Sequence, residues 1–418
     1  MTGAIRAYDN GLHRAGWVLQ DPWTIISNGY VRVVSGQIME VVPWRKAASP
    51  VGQEPFFDHG PGVLMPALVN AHTHLELSGF RGQLDCTRGF GPWVQDLLQL
   101  RDKCTPDELT AAAELGLQEI VTTGTGTVYE ISSLGLTDQL LQQSGLSGFW
   151  AREILGNLEN LPDTTLPDWS GAVKPALAGH APHTTAPALL AALKQVDETY
   201  QRPFSIHVSE SEEEVEFIRG GCGAWADFLT ARGIDFSDWG VPVRSPVAYL
   251  DSLGVLNERT LAVHVLQADE NDLDILQRRH TPVCACPRSN QALHGRLPDI
   301  PAMLARRMHV CLGTDSLASA PSLDLFAEMA FVARQYPDLD PVQILAMATS
   351  FGAAALGQTT RGILDRGFAA RMIYVPGTFA GQRELIETIV NRGFNQPCQP
   401  LCIQGELQTG ENYAGQAT

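Results

Sequence analysis

Val63-Leu64-Met65-Pro66-Ala67-Leu68-Val69-Asn70-Ala71 is an apolar run, and it closes on His72-Thr73-His74. The run reads as a buried β-strand, on which side chains two apart share a face. Both imidazoles therefore project together where the strand ends, as two ligands of one metal ion must. A His-x-His pair alone is a weak signal, so the rest of the chain has to supply the remaining ligands.

From residue 63 onward, apolar strands alternate with helical stretches, the texture of βα units. Eight strand candidates begin near Val63, Gly124, Gly148, Pro175, Phe204, Leu261, Pro282 and Val310. Helical patterns such as Glu108–Leu115 and Ala188–Leu193 lie between them. Eight such units predict an α/β fold, a (β/α)₈ TIM-like barrel over residues 63–365. A doubly wound sheet would need a Gly-rich nucleotide turn after its first strand, and the sequence has none there. Short strands at both ends, Ala15–Leu19, Tyr30–Ile38 with a hairpin turn at Gly36, Arg371–Val375 and Pro400–Ile403, predict a second unit. It is a small β-sandwich domain built from residues 1–62 and 366–418, with residues 409–418 as a frayed tail.

Composition narrows the function. The 418 residues are 44% hydrophobic and 18% charged, as in an ordinary globular protein. A net charge of −17 argues against nucleic acid and against an anionic membrane. No apolar stretch is long enough to span a bilayer, and the first residues lack the apolar core of a secretion signal. Eight cysteines over this length make no disulfide framework, and Cys284, Cys286 and Cys311 read as buried free thiols. The expectation is a cytoplasmic protein acting on a small molecule.

In such a barrel, catalytic side chains sit at the C-terminal ends of the strands. His72 and His74 end the first strand, His180 follows Ala176–Gly179, and His207 follows Phe204–Ile206. His264 follows Thr260–Val263, and Asp315 follows Val310–Thr314. Six polar groups at five strand ends converge on one mouth. Three imidazoles and a carboxylate suit one divalent cation, Zn²⁺ first, with Fe²⁺, Mn²⁺ or Ni²⁺ as alternatives. Such an ion lowers the pKa of a water it holds from about 15.7 to about 7. Glu210, just beyond His207, is placed to protonate the substrate or its leaving group. His264 and Asp315 are placed to orient the hydroxide and accept its proton.

Leu64–His74, His207-Val208-Ser209-Glu210, Cys286–Asn290 and Gly313-Thr314-Asp315-Ser316-Leu317-Ala318-Ser319 resemble the amidohydrolase superfamily. The branch is the one holding cytosine-, guanine- and S-adenosylhomocysteine-type deaminases and the triazine chlorohydrolases. The resemblance makes His72, His74, His207 and Asp315 the metal ligands and Glu210 the proton shuttle. It makes His264 the histidine that binds the attacking water, and His180 a histidine that contacts substrate. The family usually has Gly in place of Ala67 and Ala-Asp in place of Ala370-Arg371. Its two-metal members bridge their ions with a carboxylated lysine at the end of the fourth strand. Here Lys174 precedes that strand and His180 ends it, which implies one metal. A homodimer is the usual assembly among the relatives.

Retention of both Glu210 and Asp315 favours loss of ammonia, since chloride departs without a proton. His72–Ser78 and Ser245–Leu250 are similar to the deaminases of 6-amino-6-deoxyfutalosine in menaquinone biosynthesis. Alternatives are an S-adenosylhomocysteine, methylthioadenosine, adenosine or other nucleobase deaminase, and a triazine-type chlorohydrolase. A catalytically silent nucleoside- or metal-binding sensor is the reading of another class, and such a protein should have lost Glu210 or a ligand. A futalosine carboxylate would need a cation, for which Arg88, Arg152 and Arg288 are candidates. Glu76 either contacts substrate or holds a loop, and Trp93 either walls a purine pocket or packs an amphipathic helix. His183 and His294 lie near the mouth, with a structural role favoured. The run Glu210–Glu214 reads mostly as a solvated helix start.

Overall fold

The computed structural model describes residues 10–46, 54–393, 396 and 398–401. Eight parallel strands follow one another in chain order around a single sheet: Leu68–Thr73, Thr125–Ser132, Ser147–Ile154, Val173–Gly179, Phe204–Val208, Thr260–His264, Val283–Ala285 and Val310–Leu312. The eighth returns to the first through a parallel bridge between Thr73 and Asp315. The N–H groups of Thr314 and Asp315 both donate to the His72 carbonyl, at 3.0 and 3.1 Å. A (β/α)₈ barrel results, and its closure seats Asp315 directly beside His72. Gly313 permits that approach, because a Cβ there would lie 2.8 Å from the His72 carbonyl oxygen.

Inward-pointing side chains fill the barrel. Val69, Tyr129, Ile131, Phe149, Ala151, Ala176, Ala178, Leu261, Val263, Cys284 and Cys311 form one buried cluster. The next inward positions on strands two to four are Ser133, Glu153 and His180, at the mouth. Outward residues meet the helices, as in Pro187–Thr199, where Leu189, Leu190 and Leu193 bury one stripe. Asp197 on that helix accepts the Leu177 N–H at 3.0 Å and ties the helix to the fourth strand. The cysteines at 284, 286 and 311 are buried and free.

The run from Val63 is not one strand. Val63–Pro66 pairs antiparallel with Met372–Val375 and parallel with Trp17–Val18, in the sheet of the smaller unit. Pro66 has no N–H to continue a ladder, and the barrel strand starts afresh at Leu68. The boundary between the units therefore falls at Ala67, not at residue 63. Ala67 packs into the space left by Gly126, whose Cβ would sit 2.6 Å from that of Ala67. Arg371 lies alongside and donates to the Gly145 carbonyl at 2.6 Å.

All described strands of the smaller unit are hydrogen-bonded into one seven-stranded sheet, and its strands bury Val18, Val31, Val33, Ile38, Leu64 and Met372 against one another. Gly11–Asp21 and Thr24–Val34 are its long hairpin. Ser35 and Gly36, both at positive φ, turn the chain into Gln37–Pro43, as a two-residue hairpin loop requires. The helix Gln382–Val390 lies within the segment assigned to this unit, yet Leu385, Ile386 and Ile389 bury in the barrel's outer core. The proposed tail at 409–418 lies outside the described residues. Among the described residues, no helix is long and apolar enough to cross a membrane.

Candidate active site

Three imidazole nitrogens meet at the mouth. His72 Nε2 lies 3.0 Å from His74 Nε2 and 3.2 Å from His207 Nε2. His74 Nε2 lies 3.8 Å from Asp315 Oδ1. Burial, then the neighbouring imidazoles, holds His72 well below the usual histidine range. Burial also lowers His74, against the pull of Asp315. The His207 Nδ1 meets the His180 carbonyl at 2.7 Å, which leaves its Nε2 lone pair facing His72. Neutral nitrogens with facing lone pairs repel at 3 Å. Around a tetrahedral cation with Zn–N bonds of about 2.0–2.1 Å, nitrogens stand about 3.3 Å apart. The donor set therefore fits a divalent cation.

Asp315 turns its other oxygen away from that point. Oδ2 accepts from the Ser289 hydroxyl at 2.5 Å and from the Ser319 hydroxyl at 3.2 Å. Asp315 and His264 both have positive φ, 54° and 76°, rare for residues with a Cβ. Such conformations cost about 1–3 kcal/mol each and cluster at functional sites. The strand ends bend here to aim the two side chains.

Among the described residues, three groupings have metal-ligand spacing: His72 with His74 and Asp315, His72 with His207 and His264, and Glu153 with His180 and His207. His207 cannot serve both of the groupings that include it, because its Nδ1 is engaged by the His180 carbonyl and its Nε2 faces His72. His180 gives its own Nδ1 to the Thr184 hydroxyl at 2.6 Å. His207 therefore belongs with His72, and Glu153 stands behind it. Glu153 Oε2 accepts from the Ser133 hydroxyl at 2.5 Å, and Oε1 stands 3.7 Å from His207 Nδ1.

Beside the histidine cluster stands a second titratable group. Glu210 Oε1 lies 3.6 Å from His264 Nε2 and 3.2 Å from His294 Nε2. Burial alone would raise the Glu210 carboxyl, but His264 and His294 outweigh it and hold it below the usual range. Burial, opposed by Glu210 and Asp315, pushes His264 down to about 4. A neutral ring and an ionised carboxylate therefore face each other at neutral pH. The Asn290 amide meets His264 Nδ1 at 2.9 Å and orients the ring.

His294, expected to be structural, contacts Glu210. Glu76 is wholly engaged with a loop: it accepts from the Ser132 hydroxyl at 2.5 Å and from the N–H groups of Leu134 and Leu136 at 2.7 and 2.8 Å. Each of the three candidate arginines has another placement or partner. Arg152 occupies the opposite face of its strand from Glu153, Arg88 pairs with Asp96, and Arg288 is spent on Glu328 and Ser322. Trp93 donates to the Ala318 carbonyl at 3.3 Å and stacks on Phe90, 5.0 Å from His294. It belongs to the packed wall of the mouth. His183 packs against Trp225, the rings tilted by 44° with centroids 4.4 Å apart. A cavity of about 520 Å³, lined by Phe90, Glu212, Glu213, Glu216, His294 and Arg296 among others, opens beside His294.

Glu214 is buried, not part of a solvated run. Burial raises its carboxyl to about 8, although backbone N–H groups favour the charged form. A raised carboxyl binds more protons folded than unfolded, so its contribution to stability is lost as pH climbs from about 4.5 towards about 8. The stability deficit of Glu214→Gln against the parent protein should therefore shrink between about pH 5 and pH 8.5. Melting curves of the pair at the two pH values check this, and a constant difference would refute it.

The sequence model of the amidohydrolase family matches residues 63–407. A 5-methylthioadenosine/S-adenosylhomocysteine deaminase of Syntrophobacter fumaroxidans is 30% identical over 371 residues, 83% of this chain and 80% of that protein. An aminodeoxyfutalosine deaminase of Deinococcus radiodurans is 31% identical over 317 residues, 71% of this chain and 74% of that protein. The Helicobacter pylori aminofutalosine deaminase, solved with methylthio-coformycin, superposes with a TM-score of 0.79. It is 23% identical and covers 91% of this chain and 96% of its own, a likeness of fold. With its cluster of imidazoles and carboxylates at the barrel mouth and these relatives, the chain belongs to the amidohydrolase family and is a hydrolase of carbon–nitrogen bonds, of the deaminase kind.

Proposed function

We propose that this protein deaminates a 5′-substituted adenosine, with 6-amino-6-deoxyfutalosine as the first candidate. The observation that carries the reading is the meeting of Glu210, His264 and His294 beside the His72–His74–His207–Asp315 cluster. His72, His74, His207 and Asp315 would hold a divalent cation, Zn²⁺ first by its preference for imidazole and carboxylate, which would lower the pKa of a water enough to supply hydroxide at neutral pH. Ionised Glu210 takes up a proton and delivers it to a ring nitrogen, making the amino-bearing carbon electrophilic. Neutral His264 Nε2 and Asp315 Oδ1 orient the nucleophile, and Asp315 accepts its proton. Glu210, reloaded with the proton that Asp315 accepts, protonates the amino group, which leaves as ammonia while the ring keeps the oxygen.

The Deinococcus relative supports the futalosine choice, and Arg296 on the cavity wall is a cation for its aromatic carboxylate. Methylthioadenosine or S-adenosylhomocysteine is the second reading, favoured by Glu212 and Glu216 on the same wall, which repel a carboxylate. Ammonia release should be measured from aminodeoxyfutalosine, S-adenosylhomocysteine, methylthioadenosine, adenosine, guanine and cytosine. Aminodeoxyfutalosine should give the highest kcat/KM. Turnover confined to nucleosides without the benzoate would replace it with the second reading, and release from guanine or cytosine alone would remove the nucleoside assignment.

A further inference from the structure

The helix Glu212–Gly220 follows Glu210 and buries Glu214, Phe217 and Ile218 on one face. Glu214 is fully buried, whereas Glu212 beside it is exposed. A buried acid is costly unless its oxygens are satisfied, and an apolar residue would complete this stripe more cheaply. Glu214 spends both oxygens on backbone. Oε1 accepts the Ser209 N–H at 2.9 Å, and Oε2 accepts the Glu210 N–H at 2.8 Å. In an ordinary capping box the carboxylate would reach back to the N-cap residue, here Ser211. Instead it reaches beyond, to the two residues that carry the chain from the fifth barrel strand into the helix.

That junction is strained. Ser209 has φ 52°, unfavourable for a residue with a Cβ. Its carbonyl accepts the Gln267 N–H at 2.8 Å, so the turn is pinned from the sixth strand as well. The Ser211 hydroxyl accepts the Glu214 N–H at 3.1 Å and fixes the helix start. The backbone of Glu210 thus hangs from the Glu214 carboxylate, while its side chain reaches His264 and His294.

We propose that Glu214 is a positioning residue that aims Glu210 for proton delivery to the amino leaving group. The inference rests on the reading of Glu210 as the proton shuttle. Glu214→Gln keeps length and volume but puts an amide NH₂ against one of the two N–H donors, so the turn relaxes and Glu210 shifts. A displacement near 1 Å costs about a hundredfold.

The test compares a nucleoside that the enzyme deaminates with its 6-chloro counterpart, whose chloride leaves without a proton. For Glu214→Gln, kcat on the amino substrate should fall about ten- to a hundredfold, with KM little changed. The chloro substrate still needs the ring-nitrogen proton but not the one on the leaving group, so it should lose less, and metal content per chain should match the parent protein. Equal losses on both substrates would mean a general structural role and would overturn the inference, as would an unchanged kcat. Should Glu214→Gln not fold, Glu214→Asp, which keeps the carboxyl group but falls short of the turn, is read by the same split. Glu210→Gln is run beside it. If that variant keeps full turnover, the shuttle reading itself fails; if it loses turnover and Glu214→Gln shows no split, only the positioning role fails.

Discussion

Glu210→Gln should retain its metal and lose about 10²–10⁴-fold in kcat. Glu210 does not belong to the cation's ligand set; its carboxylate faces His264 and His294 instead. Gln preserves the volume and a hydrogen-bonding oxygen but cannot take up and release a proton. The loss should therefore appear in kcat, with metal content and melting temperature near those of the parent protein. Ammonia release under saturating substrate, with metal analysis of the same sample, is the measurement. Unchanged turnover would show that another group moves the proton.

Asp315→Asn should be more damaging, because it removes a ligand and a proton acceptor together. Ser289 and Ser319 donate to Oδ2 and will hold the amide oxygen of the variant in that place. The amide NH₂ must then occupy the position of Oδ1 and turn N–H bonds towards the point where a lone pair is needed. The variant should bind its cation more weakly and lose roughly 10³-fold or more in kcat/KM. Stabilisation by added metal, which scales with affinity, should diminish in a thermal shift assay. A variant with full metal content and near-normal activity would exclude Asp315 from both roles.

Much of the site is legible because strand-end positions follow a simple rule. His207 and Asp315 each follow a short apolar strand, and the barrel brings both to the mouth. The same alternation selects Glu153 over Arg152 once Phe149 and Ala151 are placed inside the barrel. Charge alone gives no phase, which is why the arginine attracts attention first. His294, Ser289 and Asn290 escape the rule for another reason. They lie on the helix Pro287–His294 that follows the seventh strand and reach the site through helical spacing. Glu214 is hidden in an acidic run, where burial cannot be told from composition. In the run from Val63 to Ala71, uniform apolarity conceals a change of sheet. Pro66, unable to donate a ladder hydrogen bond, is the residue that marks it.

The metal content of the purified enzyme, followed through chelation and reconstitution with ammonia release as the readout, tests the central claim most directly. The arrangement of His72, His74, His207 and Asp315 predicts one divalent ion per chain, loss of ammonia release when it is removed, and recovery in proportion as it returns. Full activity in metal-free protein, or an activity that requires two ions per chain, would contradict it.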